Sequence, residues 1–380
     1  MKTKEEFITD LSVSPSLCLL TAGKTPFFFD IETTGLSSAA NYIYLIGCLE
    51  KTCEGFLFRQ WFAENADEER LILKAFSDVL RPELRLVDYN GTTFDLPFLR
   101  DRCRFHKLPC PLPGKDETVD LYRTLAPVKK LFGTENRKQP TYEKIAGYNR
   151  TDPYDGGTLV AFYAEYVARY RFDTPRAEEL LQALLLHNRD DIFGLSSLAS
   201  LIPYCMLSGM TLTAPSLSED GAYLTCSAAL PYDFPKQLRK VIPLPEIPAE
   251  CRTADGFLYE DGFFADVQVS GTRVSVTVPR YDMKAYYYFP NYKDYYYLPL
   301  EDTAVHKSLA SRVEKAYRKP ATRETARQAK SGSFLPQLTE RIGPVFRFRP
   351  GDELCFFEKR PIDENAVTDY IRDWFEFLYE

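Results

Sequence analysis

The sequence predicts an α/β protein. Its first part is a mixed sheet, three antiparallel strands followed by parallel strands with helices, and its second part is a smaller α+β region. Three observations carry this. Three apolar runs follow one another between Thr25 and Phe62, "PFFFDIE", "NYIYLIGCLE" and "GFLFRQWF", separated by polar or turn-like segments, as consecutive strands are. From there to about Leu201, short strand-like runs alternate with helical ones, the pattern of a sheet with helices on its faces. Beyond Pro203 prolines crowd "LPYDFPKQLRKVIPLPEIPAE", and the character of the chain changes. We therefore divide the 380 residues into 1–205 and 206–380, a length that suits two domains.

After the three strands, "DEERLILKAFSDVL" (Asp67 to Leu80) places acids in its first turn. Its apolar residues, Leu71, Ile72, Ala75, Phe76, Val79 and Leu80, fall at helical spacing. A short strand "LRLVDY", a helix beginning in "FDLPFLRDRCRF" and a short strand around "TVDLY" come next, and the chain is then mostly helical. In the second part "FFADVQV" and "TRVSVTV" alternate about Ser270-Gly271 and read as a hairpin. "VFRFRPGDELCFFEKR" reads as another, and Val367, Ile371, Trp374, Phe375 and Leu378 form one helical stripe at the C-terminus.

Composition narrows the function. Apolar residues make up 45% and charged residues 27%, without a run approaching the roughly 18 apolar residues of a membrane span. The first residues lack a signal-peptide pattern, so the expectation is a cytoplasmic protein with no membrane partner. Nine cysteines without a CxxC pair suit reduced thiols, and three histidines far apart in sequence argue against a histidine-built metal site. Any metal should be held by oxygen. The net charge of −7 is spread evenly, 25 basic and 29 acidic side chains up to residue 205 and 22 and 25 after it. Nucleic-acid binding would therefore have to rely on local basic patches.

The chemistry begins with Asp30 and Glu32. In a strand they share one face, and Phe27, Phe29 and Ile31 share the other. Two carboxylates that close repel each other unless a cation sits between them, and oxygen ligation suits Mg²⁺ or Mn²⁺. The other reading is an edge strand whose polar face meets solvent. Asp95 begins an apolar helix after the turn-prone Asn90-Gly91, where an acid also simply favours the helix dipole. In "ELLQALLLHNRDDIFGLSSLASL", at ~100° per residue, Leu184, Leu195 and Leu198 fall within about 40° of Asp191. Asp191 thus faces the core side, Asp190 lies about 100° away, where a plainly solvated position is open to it, and His187 projects from nearly the face of Asp191.

At these residues, "FFDIETTGL", "NGTTFDLPFL" and "HNRDD", the chain resembles the three exonuclease motifs of the DEDD superfamily, and more closely the YprB-type ribonuclease H-like proteins. The resemblance runs from about Phe27 to Leu201 and takes in "ETVDLYRTL" and "YEKIAGYNRTDPYDGG". It implies a ribonuclease H-like fold and a 3′–5′ exonuclease acting on DNA or RNA, with a single-stranded 3′ end as partner. It makes Asp30, Glu32, Asp95 and Asp191 the ligands of two Mg²⁺ or Mn²⁺ ions and His187 the general base. Thr33, Gly35 and Leu36, in the turn that touches the terminal nucleotide in similar enzymes, join Asn90 as substrate-binding candidates; Gly35 also reads as a plain turn residue. One departure stands out: the histidine of that branch usually lies five residues before the last acid, and here it lies four before, which leaves the identity of the base open. Asp120 is a further candidate for an orienting role, beside a purely structural one.

The second part resembles no family. Eight tyrosines between Tyr281 and Pro299 either stack on bases or pack in strands. Arg312, Lys315, Lys319, Arg323, Arg327 and Lys330 form a stripe that either holds phosphates or is a solvated face, interrupted by Pro320. The rival to a nuclease is a non-catalytic nucleic-acid or protein binding module on the same fold. Endonucleolytic cleavage of structured RNA would use the same site.

Overall fold

The computed structural model describes residues 1–254, 259, 262–310 and 312–379. They gather into two compact units, residues 1–206 with 232–236, and residues 207–231 with 237–380.

The first unit is built on a six-stranded sheet of β1 (Lys2–Ile8), β2 (Thr25–Thr33), β3 (Ile43–Lys51), β4 (Phe56–Phe62), β5 (Leu84–Asp88) and β6 (Val119–Asp120), in the order β1-β4-β3-β2-β5-β6. β2, β3 and β4 are antiparallel neighbours, and β5 and β6 add in parallel, as the sequence predicts. The edge strand β1, paired antiparallel with β4, is an addition that the apolar pattern does not announce. β2 lies inside the sheet, so the edge-strand reading of its acids falls.

Helices cover both faces. Phe27, Phe29 and Ile31 enter a core with α1 (Glu69–Val79) and α2 (Asp95–Phe105) through Ile72, Leu73, Phe76, Leu96 and Leu99. After α3 (Gln139–Ala146), the chain forms α4 (Gly156–Arg169) and α5 (Thr174–Ser197). Tyr163, Leu180 and Leu184 of these two pack on Tyr44, Leu45 and Phe62. The run Thr174–Gly209 holds a window with a mean hydropathy of 1.5 that matches a membrane span by length and composition, and 61% of that window is buried within the protein, as in a core helix.

In the second unit, β7 (Thr213–Asp220), β8 (Tyr223–Leu244) and β9 (Phe263–Pro279) form one sheet. The segment read as a hairpin is the single extended element β9, in which Val269 and Val274 are both buried on either side of Gly271 at φ 56°. The expected C-terminal hairpin pairs Val345 with Phe357 and Phe346 with Phe356. Val367, Ile371, Trp374, Phe375 and Leu378 are all buried. The tyrosine segment is mainly packing: Tyr281 and Tyr286 are buried, and Tyr287, Tyr288, Tyr295, Tyr296 and Tyr297 partly so. The basic stripe is not a helix; Lys319 lies in a two-residue strand, and Arg327 and Lys330 start a strand in which they pair with Asp302 and Glu358.

Candidate active site

β2 carries its two acids on the face that α5 covers. Strand pairing sets Asp30 opposite Gly47 of β3, and Gly47 opposite Gln60 of β4. A Cβ on Gly47 would come within 2.0 Å of Asn188 Oδ1 and 2.4 Å of Ile192 Cδ1, so glycine is what lets α5 approach the sheet at this point. Asn188, wholly buried, uses the approach: its Nδ2 donates to Asp30 Oδ2 (3.0 Å) and its Oδ1 accepts from Gln60 Nε2 (3.0 Å).

Asp95 is the first residue of α2 and is buried. The loop that delivers it is fastened by two acids paired in register at the ends of β5 and β6, Asp88 and Asp120. Gly91 N–H donates to Asp88 Oδ1 (2.8 Å), Asn90 N–H to Asp120 Oδ1 (2.9 Å) and Thr92 Oγ1 to Asp120 Oδ2 (2.5 Å). Asp120 therefore holds the loop that leads to Asp95.

α5 brings His187 and Asp191 one turn apart to the same place. His187 Nε2 is 3.0 Å from Asp191 Oδ2 and 3.8 Å from Glu32 Oε1, and its Nδ1 is 2.5 Å from Asp152 Oδ2. Arg150 donates to Asp191 Oδ1 (2.5 Å) and is itself gripped by both oxygens of the buried Glu143. Asp190 corrects the wheel reading. It is not solvated but buried, accepting from Tyr148 Oη (2.8 Å) and from the N–H groups of Thr151 and Asp152 (both 2.7 Å). The wheel places a residue against its own helix's stripe and cannot know that the loop 148–152 lies over the flank where Asp190 points. Arg150 and Asp152, which reach the site from that loop, escaped the sequence reading, since an irregular segment has no period to betray its direction.

Asp30, Glu32 and Asp95 resist ionisation together. Burial, then the charges of Asp191, Glu32 and Asp95, push the Asp30 carboxyl well above its usual range, against the bond from Asn188. Burial raises Glu32 to about 8, with His187 opposing and Asp191 and Asp95 adding to the shift. Burial raises Asp95 to about 7, although the N–H groups of Asp95 and Ile31 favour its charged form. Burial also acts on Asp191 and His187, but there it is overcome: His187 and Arg150 hold Asp191 low, and Asp191, Glu32 and Asp152 raise His187 to about 9. A cluster of carboxylates that cannot all be charged together is the electrostatic condition that a divalent cation relieves. Glu32, His187 and Asp191 each offer a ligand atom within 4.8 Å of the others. Asp30 and Asp95 lie outside this tightest group but couple electrostatically to Asp191. The donor set, oxygens with one imidazole, fits a hard divalent ion.

The residues expected to meet substrate are placed less uniformly. Thr33 Oγ1 bonds Gly35 O (2.9 Å), and Gly35 lies so close to the Asn41 side chain that a Cβ would meet it at 2.6 Å. Leu36 stands 87% exposed just beyond the acids. Asn90, at φ 69°, bonds within its own loop through Thr93 Oγ1 (2.6 Å). His106, the other histidine of this unit, is taken up by Glu69.

Residues 27–202 match the sequence model of the RNase_H superfamily. Similar solved structures include the family B DNA polymerase of the archaeon Pyrobaculum calidifontis, 14% identical over 58% of this chain and 34% of that one, with a TM-score of 0.35. Others are E. coli exonuclease I complexes: a zinc-bound form with single-stranded DNA, 13% identical over 57% and 54% at a TM-score of 0.30, and a form with a dT13 oligonucleotide, 14% over 57% and 54% at 0.28. The chain thus spans about a third of the polymerase and about half of the exonuclease. No curated protein matches it.

Proposed function

Proceeding from a ribonuclease H-like domain over residues 27–202, we propose that this protein is a metal-dependent nuclease of the DEDD type, a 3′–5′ exonuclease that hydrolyses phosphodiester bonds of DNA or RNA. The observation that carries the reading is the convergence of acids from three separate segments, Asp30 and Glu32, Asp95, and Asp191, beside His187. Asp30, Glu32, Asp95 and Asp191 would hold two Mg²⁺ or Mn²⁺ ions. Bound there, the ions supply positive charge to the phosphate under attack and to the leaving oxygen.

The chain's own residues do the rest. His187 presents Nε2 to Glu32 and Asp191, which keep it protonated while they are free; with their charge taken up by the ions, the neutral ring would accept the proton of the attacking water there. The water oxygen bonds to phosphorus, the bond from phosphorus to the 3′ oxygen of the penultimate nucleotide breaks, and a mononucleotide is freed. Asn188 fixes Asp30, and Arg150 fixes Asp191. Exposed Leu36 offers an apolar contact for a terminal base beside the acids, which supports a single-stranded end as substrate. The test is incubation with Mn²⁺ or Mg²⁺ and 5′-labelled single- and double-stranded DNA and RNA, beside Asp30→Ala. A ladder of shortening products from the wild type alone supports the reading. Binding without cleavage of any of these substrates overturns it in favour of a binding module.

A further inference from the structure

The loop between α3 and α4 is fastened to α5 with unusual care for an irregular segment. Asp190 accepts Tyr148 Oη and the N–H groups of Thr151 and Asp152, and so fixes both the direction and the depth of the loop. Pro153 restricts Asp152 to extended backbone. The Asp152 side chain is then oriented in turn: Oδ1 accepts the N–H of Tyr154 (3.1 Å), which leaves Oδ2 turned to His187 Nδ1 at 2.5 Å. Asp152 is 9% exposed, and its side chain is 1% exposed in this pairing. A buried carboxylate is costly unless it is bonded, and each Asp152 oxygen has its partner here.

We infer that Asp152 is a positioning residue for His187, acting through Nδ1. An ionised carboxylate can only accept from Nδ1, so the Nδ1–H is retained, and Nε2, which faces Glu32 and Asp191, is the nitrogen left to exchange its proton. The same bond holds the ring plane, which the histidine's position on a helix does not fix by itself. The ring, one residue nearer the last acid than in the similar enzymes, is steadied from the far side by a loop that is itself bonded to the neighbouring acid, Asp190. The catalytic half of this inference rests on the nuclease reading, and the ring-orientation half does not.

The test uses the full chain with Asp152→Ala, and Asp152→Asn as an isosteric variant should the alanine protein not fold. Proton–nitrogen correlation spectra, with His187→Gln identifying the signals, report the proton on His187 Nδ1. The expected result is a downfield Nδ1 proton in the wild type that is lost or shifted upfield in the variants. With it, kcat should fall roughly 10–100-fold, the range for residues that orient a functional histidine, while KM stays within about twofold. Absence of that proton in the wild type, or folded variants with kcat within about twofold of wild type, overturns the inference. A merely structural role would lower thermal stability without moving kcat, and also overturns it. If the wild type cleaves nothing, the nuclease reading falls, and the orientation claim stands or falls on the Nδ1 proton alone.

Discussion

Replacing Gly47 by alanine adds one methyl group at the point where α5 meets the sheet. That methyl would lie 2.0 Å from Asn188 Oδ1 and 2.4 Å from Ile192 Cδ1, where ordinary contacts begin near 3.4 Å. Both neighbours are wholly buried, so neither can turn into solvent. Overpacking of this kind costs about 1–3 kcal/mol. Displacing Asn188 also breaks its bonds to Asp30 and Gln60, each worth about 0.5–1.5 kcal/mol. Against these, alanine gains about 0.5–1 kcal/mol over glycine in the unfolded chain. The net loss is about 3 kcal/mol, and for a domain of this size it should lower Tm by roughly 6–12 °C. The assay is thermal and urea unfolding of Gly47→Ala, Asn188→Ala and the double variant. The double variant should lose at least about 1 kcal/mol less than the sum of the singles, because removing Asn188 also removes the nearest clash. A loss below about 1 kcal/mol for Gly47→Ala, or strict additivity, would refute the reasoning that this glycine exists to admit Asn188.

Two further outcomes separate neighbouring acids by what they touch. Asp190→Ala should cost about 2–4 kcal/mol in urea unfolding, because Tyr148 and two loop N–H groups lose their acceptor. Asp191→Asn should leave stability within about 1 kcal/mol and instead weaken binding of Mn²⁺. The pH dependence of Asp88 has a definite sign. Burial, then Asp120 and Asp95, raise its carboxyl to about 8, so the folded state binds its proton more tightly than the unfolded chain does. Its contribution is then fully present below about pH 4 and is lost as pH rises toward 8. Asp88→Asn, which keeps an acceptor for Gly91 N–H, should raise Tm at pH 9 and change it little at pH 4; an equal change at both would refute the assignment.

Much of the placement of the candidate site was legible because its residues sit on periodic elements. Alternation in β2 puts Asp30 and Glu32 opposite Phe27, Phe29 and Ile31, and that inference needs only the geometry of a strand. The helical period put His187 and Asp191 on one face in the same way. What was illegible lies where periodicity ends. β1, "KTKEEFI", has charged residues on both faces, as an edge strand does, and so shows no apolar stripe. Gly47 looks like a flaw in an apolar strand until the helix that needs its absent side chain is in place. Arg150 and Asp152 occupy a loop whose only sequence signals, Pro153 and the α4 cap Asp155, describe the backbone and say nothing of where a side chain reaches. The basic stripe failed for the opposite reason: intervals of three and four imitate a helix that Pro320 and the strand from Arg327 preclude.

The claim beneath all of this is that acids from three segments form one cation site, and Mn²⁺ binding followed by the loss of its free-ion electron paramagnetic resonance signal tests it most directly. The account predicts that the wild type binds two ions per chain, and that Asp30→Asn and Asp191→Asn each weaken binding at least about tenfold while remaining folded. A wild type that leaves the free-ion signal unchanged, or variants that bind as well as it does, would contradict it.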